Sequence, residues 1–431
     1  MLRSIDHFIA ILGDTIGSFE EHRVQVMRSV NPKILLWARE TAGLTREEAA
    51  KKLGIRGARG RSSIERMEDL ECAKEEPTWS MLSKMSKVYH IPQVVFYLSD
   101  IPPLGDYGED FRTLPTKPDR KAQGLIAAAV RDMHARQGIL RSALEDIEED
   151  EPLPFIGSEK EFRSGSRRDI ERVAESIRQT IAFDREHFRS RRNAKEGFAY
   201  LRKRAEDAGI FVILIADLGS WHSALDVELF RGFVIADPVA PLVVINANDS
   251  ASAQSFTLVH ELAHLWIGSS GISGGSMEGH EGIERFCNEV ASEFLVSQSE
   301  IDGLRITAET PFEEVKERID EFAKQRKISR TMVALRLYRG DSIELKTYRG
   351  LADEFKKLFL ESKERDKSGE KKGGPSYYVL TKQRLGSSLI DLVDRMMGEK
   401  SLSVTKAAIL LGVNALRVKR LIDESQAKSI P

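Results

Sequence analysis

Cysteine is nearly absent from this chain. Two thiols in 431 residues, Cys72 and Cys287, stand far apart in sequence and build neither a disulfide framework nor a four-cysteine zinc knuckle, so both read as reduced thiols. No stretch approaches the roughly 20 apolar residues that a membrane span needs. The apolar segment 5–12 contains Asp6 and His7 and lacks both a basic start and a small-residue cleavage site, so it does not read as a signal peptide. The cytoplasm is the expected compartment, with no membrane partner. An excess of either charge is also missing: 65 Lys and Arg against 67 Asp and Glu leave a formal net charge of −2. That balance argues against a surface that grips nucleic acid throughout and leaves only local patches for it. Aromatics are scarce at 7% while charged residues reach 31%, which suggests a helix-rich soluble protein. With 41% hydrophobic residues the chain folds around real cores, and its length implies two to four domains.

Residues 1–30 form a poorly patterned extension. Beyond them Ile34, Leu35, Ala38 and Ala42 repeat at helical spacing before Gly43, and Thr45 with Glu48 makes a capping box for a second helix. Apolar positions place a third helix around 64–70, a fourth from Trp79 and a short fifth behind Pro92. Over residues 31–102 this order, with Gly54 at the turn, resembles the five-helix domain of the Xre and phage-repressor family. The resemblance implies a helix-turn-helix whose third helix enters the DNA major groove. Two departures stand there: 56–63 reads as an insertion, and the glycine that usually follows the third helix's glutamate is missing at Asp69-Leu70. Arg56, Arg59, Arg61, Ser62, Ser63 and Arg66 are the candidate nucleic-acid contacts. In the competing reading Glu65, Glu68, Asp69 and Glu71 make this a protein-binding or solvated face.

Residues 103–155 read as a linker carrying Asp110-Phe111-Arg112-Thr113, followed by a long amphipathic helix from about 120 to 149. Two more helices are expected at 167–180 and 194–208. Gly209 then switches the period, and 210–215, 233–236 and 241–246 read as buried strands. Residues 346–375 are expected to be a helix and a charged linker, with 363–374 a solvated run. The last segment, 376–431, is expected to fold separately. Its 403–422 stretch has helix-turn-helix spacing with Lys406, Arg417, Lys419 and Arg420, a surface for nucleic acid, a partner or a dimer contact. A pair of short helices at 322–337 has a similar shape and reads as packing.

The chemistry lies in Thr257-Leu258-Val259-His260-Glu261-Leu262-Ala263-His264. Positions i and i+4 share one helix face, so His260 and His264 can aim at a single ion, with Glu261 beside them. Zinc accepts three protein ligands in a catalytic site and keeps a fourth position for water, whose proton a neighbouring carboxylate takes. A chance HExxH in a chain of this composition has odds on the order of 2%. For the third ligand, Glu284, Asn288, Ala291 and Leu295 form one helical stripe in a helix expected from Ile283. Glu284 is therefore favoured over its rival His280, which with Glu278 and Glu281 falls in an expected glycine- and serine-rich loop, 268–282. Asn288, one turn on, is placed to orient a ligand histidine. The strands upstream supply a sheet for this helix, and the strand preceding it is expected to align an extended peptide. His222 and Tyr200 are candidate oxyanion donors by chemistry alone. Two histidines and a glutamate suit one Zn2+ per chain and do not exclude Mn2+.

Together with Arg231-Gly232-Phe233, Asn246 and the upstream Asp110-Phe111-Arg112, these residues resemble the ImmA/IrrE family of zinc-dependent metallopeptidases. The resemblance covers about 110–337 and departs mildly at Val296-Ser297, where the family carries a small residue and Met-Pro. It implies an α+β, mostly helical fold with a zincin-like metallopeptidase domain over 156–345. It further implies His260, His264 and Glu284 as ligands, Glu261 as base, and a bacterial or phage regulatory peptidase acting on a repressor or antitoxin. The alternative function is a DNA-binding regulator or antitoxin that uses the metallopeptidase fold as a sensor or interaction platform.

Overall fold

The computed structural model describes residues 30–58, 60–98, 100–101, 120–160, 166–218, 223–227, 230–268, 277–368 and 376–426. By its internal contacts the chain divides into two compact units, Met1–Pro103 and Leu104–Pro431. The segment Asp110-Phe111-Arg112-Thr113, Arg59 and His222 lie outside the described residues.

In the first unit α1 (Pro32–Thr41), α2 (Arg46–Leu53), α3 (Ser63–Glu71), α4 (Trp79–Tyr89) and a 3-10 helix (Gln93–Tyr97) close around Ile34, Leu53, Met67, Leu82, Met85 and Phe96. Thr45 with Glu48 and Ser62 with Glu65 make reciprocal capping boxes at the starts of α2 and α3. Gly54, at φ +73°, ends α2 in the left-handed region. The inserted residues before α3 form a tight turn closed by two backbone hydrogen bonds between Ala58 and Arg61, at 3.0 and 3.1 Å.

The acidic face expected on α3 is only half present. Glu71 is buried between Arg39, at 2.5 Å, and Arg46, at 2.8 Å, and Asp69 is buried against Arg61 and Lys74. Those two carboxylates tie the helices together, because a buried charge persists only when paired. The candidate DNA contacts are largely engaged as well: Arg66 donates to Glu75 at 2.8 Å and to the Arg56 carbonyl at 3.1 Å, and the Ser62 hydroxyl caps α3.

The second unit is built on three strands, β1 (Phe211–Ile215), β2 (Gly232–Ile235) and β3 (Leu242–Asn246), in the order β1-β3-β2, with β3 parallel to β1 and antiparallel to β2. Before the sheet come α5 (Arg120–Asp146), α6 (Arg167–Thr180), α7 (Arg185–Arg189) and α8 (Ala194–Asp207). After it come α9 (Ala251–Ile267), α10 (Met277–Leu295), α11 (Gln298–Asp302), α12 (Phe312–Arg326), α13 (Arg330–Arg339) and α14 (Leu345–Ser368). The C-terminal helices are α15 (Tyr377–Leu385), α16 (Ser387–Gly398), α17 (Val404–Leu411) and α18 (Ala415–Gln426).

Helices cover both faces of the sheet, which explains why the strand sequences are apolar without alternation. Val212, Val234, Val243 and Ile245 join the core of α6, α8, α9 and α10. Ile213, Phe233, Leu242 and Val244 point the other way, into a core shared with α5 and the C-terminal helices. The helices of 376–426 therefore do not fold apart, and the helix expected to follow a linker at 103–155 is their packing partner: Leu389, Met396, Leu411 and Leu421 close on Val130 and Met133 of α5. Arg202 of α8 fastens this layer, donating to the Gln383 and Arg384 carbonyls while pairing with Glu206 at 2.7 Å. It also donates to the carbonyl of Val212 on β1. The expected solvated run at 363–374 is helical through Ser368 in α14.

Removing residues 376–431 should therefore unfold the second unit rather than trim it. Each large apolar side chain uncovered costs about 1.5–3 kcal/mol, so three or four exhaust a typical margin of ~5–15 kcal/mol. The truncated chain is expected to be insoluble or to bind a hydrophobic dye; a soluble, cooperatively melting product would refute the shared core.

Candidate metal centre

Helix α9 is buried along most of its length. Ser250 caps its start, and Gly268 ends it at φ +71°. The amides of Gly157 and Glu159 take up the last carbonyls, of Leu265 and Trp266, at 2.8 Å each. A Cβ on Gly268 would stand 2.8 Å from the Gly157 Cα, so this end tolerates only glycine. Trp266, fully buried, donates to the Ser176 hydroxyl at 3.0 Å and stacks on Phe155. These contacts hold one face of α9 rigid and aim the other at α10.

On that other face His260 Nε2 and His264 Nε2 lie 3.1 Å apart, and Glu284 of α10 brings its two carboxylate oxygens to 3.2 Å from His260 and 3.0 Å from His264. Ligands on a tetrahedral ion at roughly 2.0–2.1 Å stand about 3.3 Å from one another. The three donors thus match a divalent cation in number, type and spacing. Two imidazole nitrogens so close cannot both present lone pairs unless positive charge lies between them. His264 is sealed, while the side chains of His260 and Glu284 are 13% and 20% exposed, so the centre opens on their side.

Without a metal, a proton on His264 supplies that charge. Burial opposes ionisation of His264, yet the Cys287 sulfur, Glu284 and Glu261 outweigh it and hold the ring well above the ordinary imidazole range. Burial likewise opposes ionisation of Glu284, but hydrogen bonds from His260 and His264 carry its carboxyl below the usual range.

Glu261 is buried on the same helix, and its carboxylate lies against the first residue of β2. A Cβ on Gly232 would come within 2.7 Å of the Thr257 methyl, 2.9 Å of the Val244 carbonyl and 3.2 Å of Glu261 Oε1. Only glycine lets the strand approach α9 so closely. Asn246, fully buried at the end of β3, donates to the Leu225 and Phe230 carbonyls at 3.1 and 2.8 Å, fixing the segment that leads into β2.

Four site expectations change. Strand β3, which precedes the helix, is the middle of the sheet, so the edge beside α9 is β2. Helix α10 begins at Met277, which puts His280 on a helix rather than in a loop; its side chain is not among the described ones. Asn288 makes no bond to His260 Nδ1, which is buried without a hydrogen-bond partner; Cys287, the residue before it, is buried beside His264. Its position three residues after Glu284, on the same helix face, was the available signal. Tyr200 is committed elsewhere, its hydroxyl accepting from the Asp184 amide at 3.0 Å.

The protonation pattern fixes a pH dependence. The raised pKa of His264 stabilises the metal-free fold fully below about pH 6.5, and that contribution fades as pH rises through the raised value. The lowered pKa of Glu284 stabilises it above about pH 4.5 and is lost in acid. Zinc has to displace the His264 ring proton, so its affinity should rise with pH across the neutral range and its binding should release a proton. Calorimetry in buffers of different ionisation enthalpy measures that release; a pH-independent affinity would contradict it. Glu284→Gln should lower zinc affinity in the same titration.

Residues 205–338, from the end of α8 through α13, match the family model described as the IrrE N-terminal-like domain, Peptidase_M78. The matched stretch contains the sheet, α9 and α10, and leaves outside it the first unit, α5 and the C-terminal helices. No curated protein and no solved structure matches the chain. A mostly helical α+β unit matching this peptidase family, with a cluster of two histidines and a glutamate, points to a metallopeptidase-type function.

Proposed function

We propose that this protein is a zinc-dependent endopeptidase that cuts a specific protein inside the cell. The observation that carries the reading is the convergence of His260, His264 and Glu284 on one point, with the Glu261 carboxylate of the same helix lying against the start of the edge strand. A bound divalent ion would acidify a water molecule and polarise a scissile carbonyl.

The chain's own residues do the rest. Glu261 accepts a proton from the attacking water and delivers it to the leaving amine, the task of a carboxylate within reach of both. Strand β2 carries an outer side that no strand occupies among the described residues, and such an edge adds an extended peptide through backbone hydrogen bonds. A peptide held there passes Glu261. Burial of His264 and Glu261 keeps these groups fixed, so little reorganisation is needed at the moment of reaction.

The substrate class follows from the resemblance to ImmA/IrrE peptidases: a transcriptional repressor or antitoxin of a bacterial or phage regulatory system. No described helix is long and apolar enough to cross a membrane, and the proposed substrate places the reaction in the cytoplasm.

The test is co-expression with the product of the neighbouring gene. Glu261→Gln should keep stoichiometric zinc and lose about 100- to 10,000-fold in cleavage rate; a variant that cuts like the wild type would sink the mechanism. Gly232→Val should also hold zinc and lose cleavage, because its side chain has no room against Thr257, Val244 and Glu261. Undiminished cleavage by that variant would separate the edge strand from the reaction.

A further inference from the structure

Helices α17 and α18 are joined by three residues, Gly412, Val413 and Asn414, with Gly412 left-handed at φ +62°. Ala407, Ala408 and Leu411 on α17 meet Val418, Leu421 and Ile422 on α18, all buried. The back of α18 is thereby clamped. Its first two turns face solvent and present Asn414, Leu416, Arg417, Lys419 and Arg420, with Leu416 92% exposed. A helix fixed across a short glycine turn, with its amino-terminal half projecting, is the geometry that lays a helix into the major groove.

We infer that α17 and α18 bind double-stranded DNA, with α18 in the major groove. Charge is placed for it. Arg417, Lys419 and Arg420 are exposed on the first half of α18, whereas its acids Asp423 and Glu424 stand toward the far end. The Arg417 and Arg420 guanidinium groups rest over the rings of Tyr377 and Tyr378, each 4.7 Å from the centroid. Ring stacking positions a cation without neutralising it, which leaves its charge for phosphate.

Helix α3 of the first unit makes the contrast. There the turn before the helix is longer, and Arg61 and Arg66 pair with Asp69 and Glu75. On α18 the ion pair between Arg420 and Glu424, at 3.1 Å, is exposed and therefore weak enough for phosphate to replace. Leu416 adds an apolar side chain at the front of the helix, suited to contact with a thymine methyl. None of these features involves the metal centre, so DNA binding here holds or fails independently of the proposed peptidase.

The test uses the full chain and a fluorescent mixed-sequence DNA duplex, read by anisotropy over a salt series. Wild type should bind at low salt and weaken as salt rises. Replacing Arg417, Lys419 and Arg420 together by alanine should weaken binding and flatten the log–log salt slope by about 0.9 for each phosphate no longer neutralised. Lys419→Glu makes a second variant, because the Lys419 side chain is exposed on the face turned away from the core; it should weaken binding several-fold with melting temperature and zinc content unchanged. Arg56, Arg61 and Arg66 replaced by alanine should leave the slope as in wild type. Failure of the wild type to bind the duplex at low salt, or an unchanged slope in the triple variant, overturns the inference. A shift in mass by light scattering for Leu416→Asp, with no duplex binding by wild type, also overturns it and makes the surface a contact between copies.

Discussion

Two imidazole nitrogens and a carboxylate are held 3.0–3.2 Å apart in the wall of a hydrophobic core, and such a group needs positive charge at its centre. Much of the second unit makes that spacing durable. Helix α9 is anchored at both ends, by the Ser250 cap and by the Gly157 and Glu159 amides, and α10 packs along it through Phe286, Val290 and Ala291. The strain of gathering like donors is met by protons or by metal, and the fold supplies neither. What it supplies is rigidity, so that whichever cation binds finds the donors already placed.

The sheet serves the same end. With only three strands it would be marginal alone, yet the layer of α5 and the C-terminal helices covers the face that α9 leaves open. With both faces dry, the central strand cannot slip, since a one-residue shift would exchange the two cores. A fixed register in turn sets Gly232 against Thr257 and Glu261. The C-terminal helices, outside the region matching the peptidase family, are thus part of what positions the edge strand, while α18 keeps basic side chains exposed on its outer face.

Charge is distributed unevenly between the helical surfaces. In the first unit buried carboxylates, Glu71 and Asp69, absorb the arginines around them; on α18 Arg417 and Arg420 are stacked on aromatics, Arg420 with only an exposed pair to Glu424, and Lys419 is exposed. Net charge near zero conceals this difference, because sums over a chain say nothing about which opposite charges touch.

Periodicity alone located most helices and all three strands, and the HExxH spacing put His260 and His264 on one helix face, because those features depend on neighbours within one or two turns. Glu284 was legible for the same reason, as one stripe of a single helix. What depends on distant segments meeting was beyond the reach of sequence: that β2 rather than β3 is the edge, that 376–426 completes the core of α5 and the sheet, that Glu71 is buried and that Cys287 lies beside His264. In the HExxH helix itself, sequence determined which donors are carried, because i and i+4 share a face; tertiary structure decided what stands beside them, because Gly232, Glu284 and Cys287 reach it from other elements only through packing.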